Sequence, residues 1–325
     1  MEDGAFVAIT HCWCGNNRLE EFSDAYFRCR SCETIILKNW PSSASFKVQD
    51  DATDFYGRQY YESYVQRLGY PNLQQRARAD LPERCLHWLN TILKFKLPPG
   101  QVLELGSAHG GFVALLNWSG FDATGLEMST SAVKLAEKTF GIKTLLGPIE
   151  EQNIEVGSLD VIALMDVLEH FPDPSKTMRH CLSLLKPDGI LLIQTPRYPA
   201  GKSFDELSKS GDQFLIQLKP SEHLFLFSEE SVTEFFRRLT ANHIRFESAI
   251  FAHYDMFFVV CRIPIISQST EAIEKSLLSH FTGRLVQSLI DQDAKLKSTV
   301  KRLESSEADL NHWRTLYYQL REKKS

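Results

Sequence analysis

The sequence contains no apolar run approaching the length of a membrane span, so it offers no candidate transmembrane helix. It lacks a surplus of lysine and arginine, and its formal net charge is −5. Proteins that grip nucleic acid by its phosphates need that surplus, so the balance argues against an RNA or DNA substrate. Met1–Thr10 carries two acids and no basic stretch ahead of an apolar one, so no secretory signal is expected and a cytoplasmic location is. Internal repeats and low-complexity segments are absent too. What remains is an ordinary soluble composition, 43% apolar and 24% charged, over 325 residues. That length suffices for one α/β domain with smaller appendages.

Cysteine is sparse and unevenly placed. Four of the seven cysteines crowd into Cys12-Trp13-Cys14-Gly15 and Cys29-Arg30-Ser31-Cys32, which have the form of two half-sites of a zinc ribbon. Four thiolates in a tetrahedral array suit a structural zinc ion, and in a reducing compartment such a cluster reads as a metal site rather than a disulfide framework. The second half-site has the usual CxxC spacing, whereas the first is a tighter CxC. His11 stands three residues before Cys14, so His11, Cys14, Cys29 and Cys32 form an alternative ligand set. Cys85, Cys181 and Cys261 lie in apolar surroundings and are expected to be buried.

Four regions are expected: a zinc-binding knuckle over 1–40, a linker and helical lead-in over 41–99, an α/β domain over 100–263, and a helical tail over 268–325. The second holds a turn at Trp40-Pro41-Ser42-Ser43, an aromatic run from Phe55 to Tyr61, and a helix over 81–93. In the third, the strands read as Val102–Leu105, Ala123–Leu126, Thr144–Leu146, Val161–Met165 and Ile190–Thr195. They alternate with helices that end at Trp118, open after Ser129 as N-cap, and open at Pro174. Short apolar strands without alternation belong to a parallel sheet covered on both faces. The pattern is a doubly wound α/β fold, whose ligands sit at the carboxyl ends of the strands.

Glu104-Leu105-Gly106-Ser107-Ala108-His109-Gly110 joins the first strand to the first helix. Its small residues let a ligand approach the backbone, and the helix N-terminus offers free N–H groups. Glu127, at the tip of the second strand, is placed to accept hydrogen bonds from two ribose hydroxyls.

Together these motifs resemble class I S-adenosylmethionine (SAM)-dependent methyltransferases. Ala108 stands where their glycine loop usually has its middle glycine. Asp166-Val167-Leu168-Glu169-His170-Phe171-Pro172-Asp173-Pro174 is similar to the fourth-strand segment of the ubiquinone-type branch. Leu184-Leu185-Lys186-Pro187-Asp188-Gly189 is similar to the fifth-strand segment, and Glu222-His223-Leu224-Phe225-Leu226-Phe227-Ser228 to the substrate-side insertion. The resemblance spans about residues 55 to 262 and implies a Rossmann-like, mostly parallel seven-stranded sheet. It also implies roles: Glu104, Gly106, Ser107 and Gly110 for the amino-acid part of SAM, Glu127 for the ribose, Met128 and the Gly147–Glu150 segment with Ile149 for the adenine, and Asp166 and Val167 for the methionine end. Pro148 departs from the pattern at the adenine. A zinc ribbon ahead of such a domain resembles a bacterial group linked to polysaccharide or natural-product tailoring, and the aromatic run fits that group's linker.

The implied reaction is methyl transfer to a small-molecule or glycan acceptor at a hydroxyl oxygen. A quinone or phenol O-methyltransferase is the first alternative, and a silent scaffold with this fold the second. A hydroxyl acceptor calls for a base, and His223, His170 and His253 are the candidates. In the tail, Leu289, Leu296, Leu303, Leu310 and Tyr317 recur every seven residues, while the companion positions Gln292, Thr299 and Ser306 are polar before Trp313 and Leu320. One apolar seam suggests a coiled coil or docking on a partner, and Lys295, Lys297, Lys301, Arg302 and Glu304 suit a solvated face. A lone helix packed on its own domain is the alternative.

Overall fold

The computed structural model describes residues 7–40, 48–58, 60, 61, 69 and 71–322. The expected Pro41–Ser43 turn, Gln59 of the aromatic run, and the side chains of Tyr317 and Leu320 lie outside what is described. Ahead of the main domain come five short strands, β1 (Val7–Ala8), β2 (Leu19–Glu21), β3 (Tyr26–Cys29), β4 (Ile35–Leu37) and β5 (Asn39–Trp40). Helix α1 (Leu73–Ala79) opens on an Asn72 capping box. A wider π-type turn, Leu81–Cys85, then runs straight into α2 (Leu86–Leu93), so the expected helix over 81–93 is present with a bulged first turn.

The main sheet contains β6 (Gln101–Leu105), β7 (Asp122–Glu127), β8 (Thr144–Leu146), β9 (Leu159–Met165), β10 (Leu185–Pro196), β12 (His243–Glu247) and β13 (Asp255–Cys261). The strand between them in sequence, β11 (Phe225–Leu226), belongs elsewhere. The order β12-β13-β10-β9-β6-β7-β8 makes a seven-stranded sheet. It is parallel except where β13 runs against both its neighbours. This is the doubly wound Rossmann-like methyltransferase fold, and its direction of winding reverses between β6 and β9. The connecting helices are α3 (Gly111–Trp118), α4 (Thr130–Phe140), α5 (Pro174–Leu184), α6 (Phe204–Ser210) and α7 (Glu229–Arg238). Their ends are written locally. Ser129 caps the N–H of Ala132, Gly141 ends α4 at φ 65°, and Asp173 caps Lys176 ahead of Pro174.

Two cores flank the sheet. One gathers α2, α3 and the far faces of β6, β9 and β10. The other joins α5 and α7 to the N-terminal strands: Tyr26, Ile35 and Ile36 share it with Leu164, Phe227 and Phe236. The cysteine-bearing segment is therefore packed into the main domain. Trp13 meets Phe235 edge-on at 5.0 Å, and β11 pairs with β4 to extend the small sheet to β11-β4-β3-β2. Each large apolar side chain so buried contributes roughly 1.5–3 kcal/mol. Cys85, Cys181 and Cys261 are buried as expected. Finally α8 (Thr270–Leu278) packs on the base of α9 (Gly283–Glu322), a helix of 40 residues. No helix among the described residues is long and apolar enough to cross a membrane.

Candidate active site

The turn after β6 is held by its own hydrogen bonds. The N–H groups of Gly106 and Ser107 both donate to Leu126 O, that of Gly110 to Ser107 O, and that of Gly111 to His109 Nδ1 at 3.0 Å. His109 must then carry its proton on Nε2, which faces Asp80 at 3.1 Å. Most amides of the turn are thus spent internally. The turn offers close backbone approach rather than a row of free N–H donors, contrary to expectation. Gly106 sits at φ 71°, and a Cβ there would come within 2.7 Å of Val167, so only glycine fits.

Glu127 ends β7 and projects from the strand tip into a cavity of about 750 Å³ at the carboxyl ends of the strands. Its Oε1 accepts from the N–H groups of Met128 (2.7 Å) and Ser129 (3.1 Å), and its Oε2 from the N–H of Ala108 (2.9 Å) and the hydroxyl of Tyr61 (3.0 Å). Burial pushes its carboxyl upward, and the four donors oppose that shift. Gly106, Ala108, Glu127, Met128, Ile149, Asp166 and Val167 all line the cavity, as do Pro148 and Glu150.

Glu104, Ser107 and Gly110, the other residues expected at the amino-acid part of SAM, are not among the residues that line it. Glu104 lies under the turn and takes a hydrogen bond from the Val113 N–H, with burial pushing its carboxyl well up. Ser107 turns toward β7, where its Oγ lies 2.5 Å from the position a Cβ on Gly125 would take. Gly110 is filled behind by Ile142 and supplies the left-handed corner before α3.

At the far end of the cavity the fourth-strand motif meets the Glu222–Ser228 segment. Leu224 N–H donates to Glu169 O, drawing His223 toward His170 with ring centroids 5.0 Å apart. A carbonyl can only accept, so the contact of His223 Nδ1 with Gln217 O at 2.8 Å places the proton on Nδ1 and leaves Nε2 unprotonated. The same reasoning applies to His170, whose Nδ1 lies 2.9 Å from Glu222 O. Burial lowers the pKa of both, that of His223 well below the usual range, so both imidazoles are neutral. The open Nε2 atoms lie 3.8 Å from a Glu222 carboxylate oxygen for His223 and 3.9 Å from a Glu169 oxygen for His170. His253 is not brought here. It sits exposed on the turn before β13 and is covered only by the rings of Phe251 and Tyr254.

Three further residue groups stand in the cavity wall, of which only the aromatic run was marked in the sequence. Tyr56, Tyr60 and Tyr61 reach it from the aromatic run, Arg76 and Arg84 from the helical lead-in, and Asp255 from the start of β13. Burial first, and the charge of Asp166 second, push Asp255 up to about 8. The only sequence signal for the tyrosines was aromatic density. Nothing local marked the arginines.

At the N-terminus Cys12, Cys14, Cys29 and Cys32 bring their sulfurs within 4.8 Å of one another. The closest pairs, Cys12–Cys32 and Cys14–Cys29, stand 3.5 and 3.6 Å apart. Four sulfurs on a tetrahedron with metal–sulfur bonds near 2.3 Å would stand about 3.8 Å apart, so the donor set fits zinc. His11 is exposed and outside the cluster. The segment also holds the far end of the cavity, because Tyr26 donates its hydroxyl to His223 O at 3.1 Å and Leu37 its N–H to Leu224 O.

An open cavity at the carboxyl edge of a doubly wound sheet, with a carboxylate at the second strand tip, defines a nucleoside-binding α/β class. Within it, residues 77–239 match the family model described as a methyltransferase domain, and the chain belongs to that family. It is 31% identical over 155 residues to the ubiquinone biosynthesis O-methyltransferase of Xanthomonas campestris pv. campestris (strain B100), covering 44% of this chain and 64% of that protein. The enzyme of the same name from Xanthomonas euvesicatoria pv. vesicatoria (strain 85-10) is 30% identical over the same shares. The chain thus spans less than two thirds of the length of these curated relatives. Among solved structures, magnesium protoporphyrin IX methyltransferase from Synechocystis PCC 6803 with bound S-adenosylhomocysteine superposes with a TM-score of 0.45 at 16% identity, covering 63% of this chain and 97% of that one. At that distance the likeness says nothing about this chain's chemistry.

Proposed function

We propose that this chain is a SAM-dependent methyltransferase that carries a methyl group to a hydroxyl oxygen of a small-molecule or glycan acceptor. The observation that carries the reading is one cavity lined both by Glu127, at the tip of β7, and by the neutral His170–His223 pair, which follows β9 on the other side of β6. Glu127 would hold the ribose, Met128 and Ile149 the adenine, and Gly106, Asp166 and Val167 the methionine end. The bound cofactor supplies an electrophilic methyl on a sulfonium, so the protein has mainly to align the acceptor and exclude water. His223, neutral and open at Nε2, takes the hydroxyl proton there, and Glu222 stabilises the resulting imidazolium. His170 is the second candidate for that proton. The 30–31% identity to ubiquinone biosynthesis O-methyltransferases supports a phenolic hydroxyl as the second reading of the acceptor.

Cys12, Cys14, Cys29 and Cys32 would hold a structural zinc ion, closing the N-terminal segment against the acceptor side. A thiolate cluster of this kind suits a reducing cytoplasm. Transfer of labelled methyl from SAM, screened over nucleotide sugars, glycans and phenols, tests the function. A labelled methyl ether is expected, and labelling confined to carbon or nitrogen acceptors would overturn the oxygen assignment.

The tail supports self-association. Leu296, Leu303 and Leu310 are 63%, 60% and 55% exposed along one seam of α9, and a helix this bare draws little stability from its own chain. We infer a parallel, in-register pair with a second copy. With the leucines at position a, Arg302 then faces Glu307 of the second copy, and Asp309 faces Arg314. Light scattering is expected to report a dimer weakened by Arg302→Glu and restored when Glu307→Arg is added. A monomer at every concentration would refute it.

A further inference from the structure

Glu127 is already saturated. A carboxylate offers about four lone-pair sites, and four donors of this chain fill them. Three are backbone amides, from Ala108, Met128 and Ser129, fixed by the end of β7 and the turn after β6. They cannot withdraw without undoing the fold that makes the pocket. The fourth is the Tyr61 hydroxyl, a side-chain donor on the aromatic run, standing 3.0 Å from Oε2. A vicinal diol brought to Glu127 needs acceptor positions, and only the one held by Tyr61 can be vacated.

We propose that Tyr61 occupies the diol subsite of the cofactor pocket and is displaced by the incoming ribose, acting as an internal competitor that sets cofactor affinity. The proposal rests on the reading that Glu127 holds the ribose. The arrangement has a physical rationale. Glu127 is buried, and burial favours its neutral form. A hydroxyl that mimics the missing diol opposes that shift and favours the ionised carboxylate before the cofactor arrives. Tyr61 is suited to this, because its own burial and the neighbouring Glu127 charge hold its hydroxyl protonated, so it only donates. The same aromatic run places the Tyr56 hydroxyl 3.2 Å from His170 Nδ1, so one segment touches both the cofactor acid and the acceptor end.

The test is calorimetric titration of the full chain with S-adenosylhomocysteine at pH 8, comparing wild type, Tyr61→Phe and Glu127→Gln, with unliganded melting curves for each. Removing a hydrogen bond to a charged group that binding must break predicts affinity about ten- to hundred-fold tighter in Tyr61→Phe. Unchanged or weaker affinity there, with Glu127→Gln weakened, overturns the competitor and leaves the ribose reading standing. Unchanged affinity in Glu127→Gln overturns the ribose reading itself. If Tyr61→Phe lacks a cooperative melt, Tyr61→Leu is titrated in its place with the same expectation.

Discussion

At the scale of single residues, two neutral histidines and one saturated carboxylate carry the account. His223 is neutral because burial opposes its charged form, and its Nδ1 proton is committed to Gln217 O. Truncation to alanine should therefore lower turnover by about 10²–10⁴-fold, the usual worth of a general base, with affinity for S-adenosylhomocysteine retained. Normal turnover would remove it as the base. The sign of its pH dependence follows from the lowered pKa. Protonation silences Nε2 only as pH falls through a value well below the ordinary 6.5, so the wild-type acid limb should lie below pH 6.5. A limb at 6.5 or above would point to another group. Residue identity was legible in the sequence where the motif itself faces the cavity, as at Gly106, Glu127 and Asp166. It was illegible where facing depends on the turn. Glu104, Ser107 and Gly110 belong to the same string yet do not line the cavity, because the turn points them toward α3, β7 and Ile142.

At the scale of elements, strand and helix boundaries could be read from Ser129, Gly141, Asp173 and Pro174, since caps and breakers act locally. The pairing of β4 with β11 could not, because it joins residues nearly two hundred positions apart and leaves no local signature. That pairing makes the cysteine segment a support for the backbone of His223 and Leu224, through Tyr26 and Leu37. If the proposed zinc is bound, its removal with a chelator, or Cys29→Ser, should therefore lower the melting temperature and depress turnover more than it weakens S-adenosylhomocysteine binding, since Glu127 stands at the tip of β7 and does not touch the segment. Calorimetry beside an initial-rate assay measures the split. Equal losses in both, or no loss in either, would separate the segment from the acceptor site.

At the scale of the whole molecule, an acidic chain with a large cavity, a four-cysteine cluster packed against its core and a long solvated helix fits the proposed small-molecule reaction better than nucleic-acid binding. The seven-stranded order was legible as a class from strand–helix alternation, and the long tail from its heptads, while the break between Leu278 and Gly283 that divides the tail into α8 and α9 became visible only with the fold. All of this depends on whether the cavity between the β6 turn and Glu127 takes the cofactor. Calorimetric titration of the intact protein with S-adenosylhomocysteine tests that most directly. One saturable site is expected in the wild type, with no measurable heat for a Glu127→Ala variant that still melts cooperatively. An absence of heat in the wild type, or equal affinity in the variant, would contradict it.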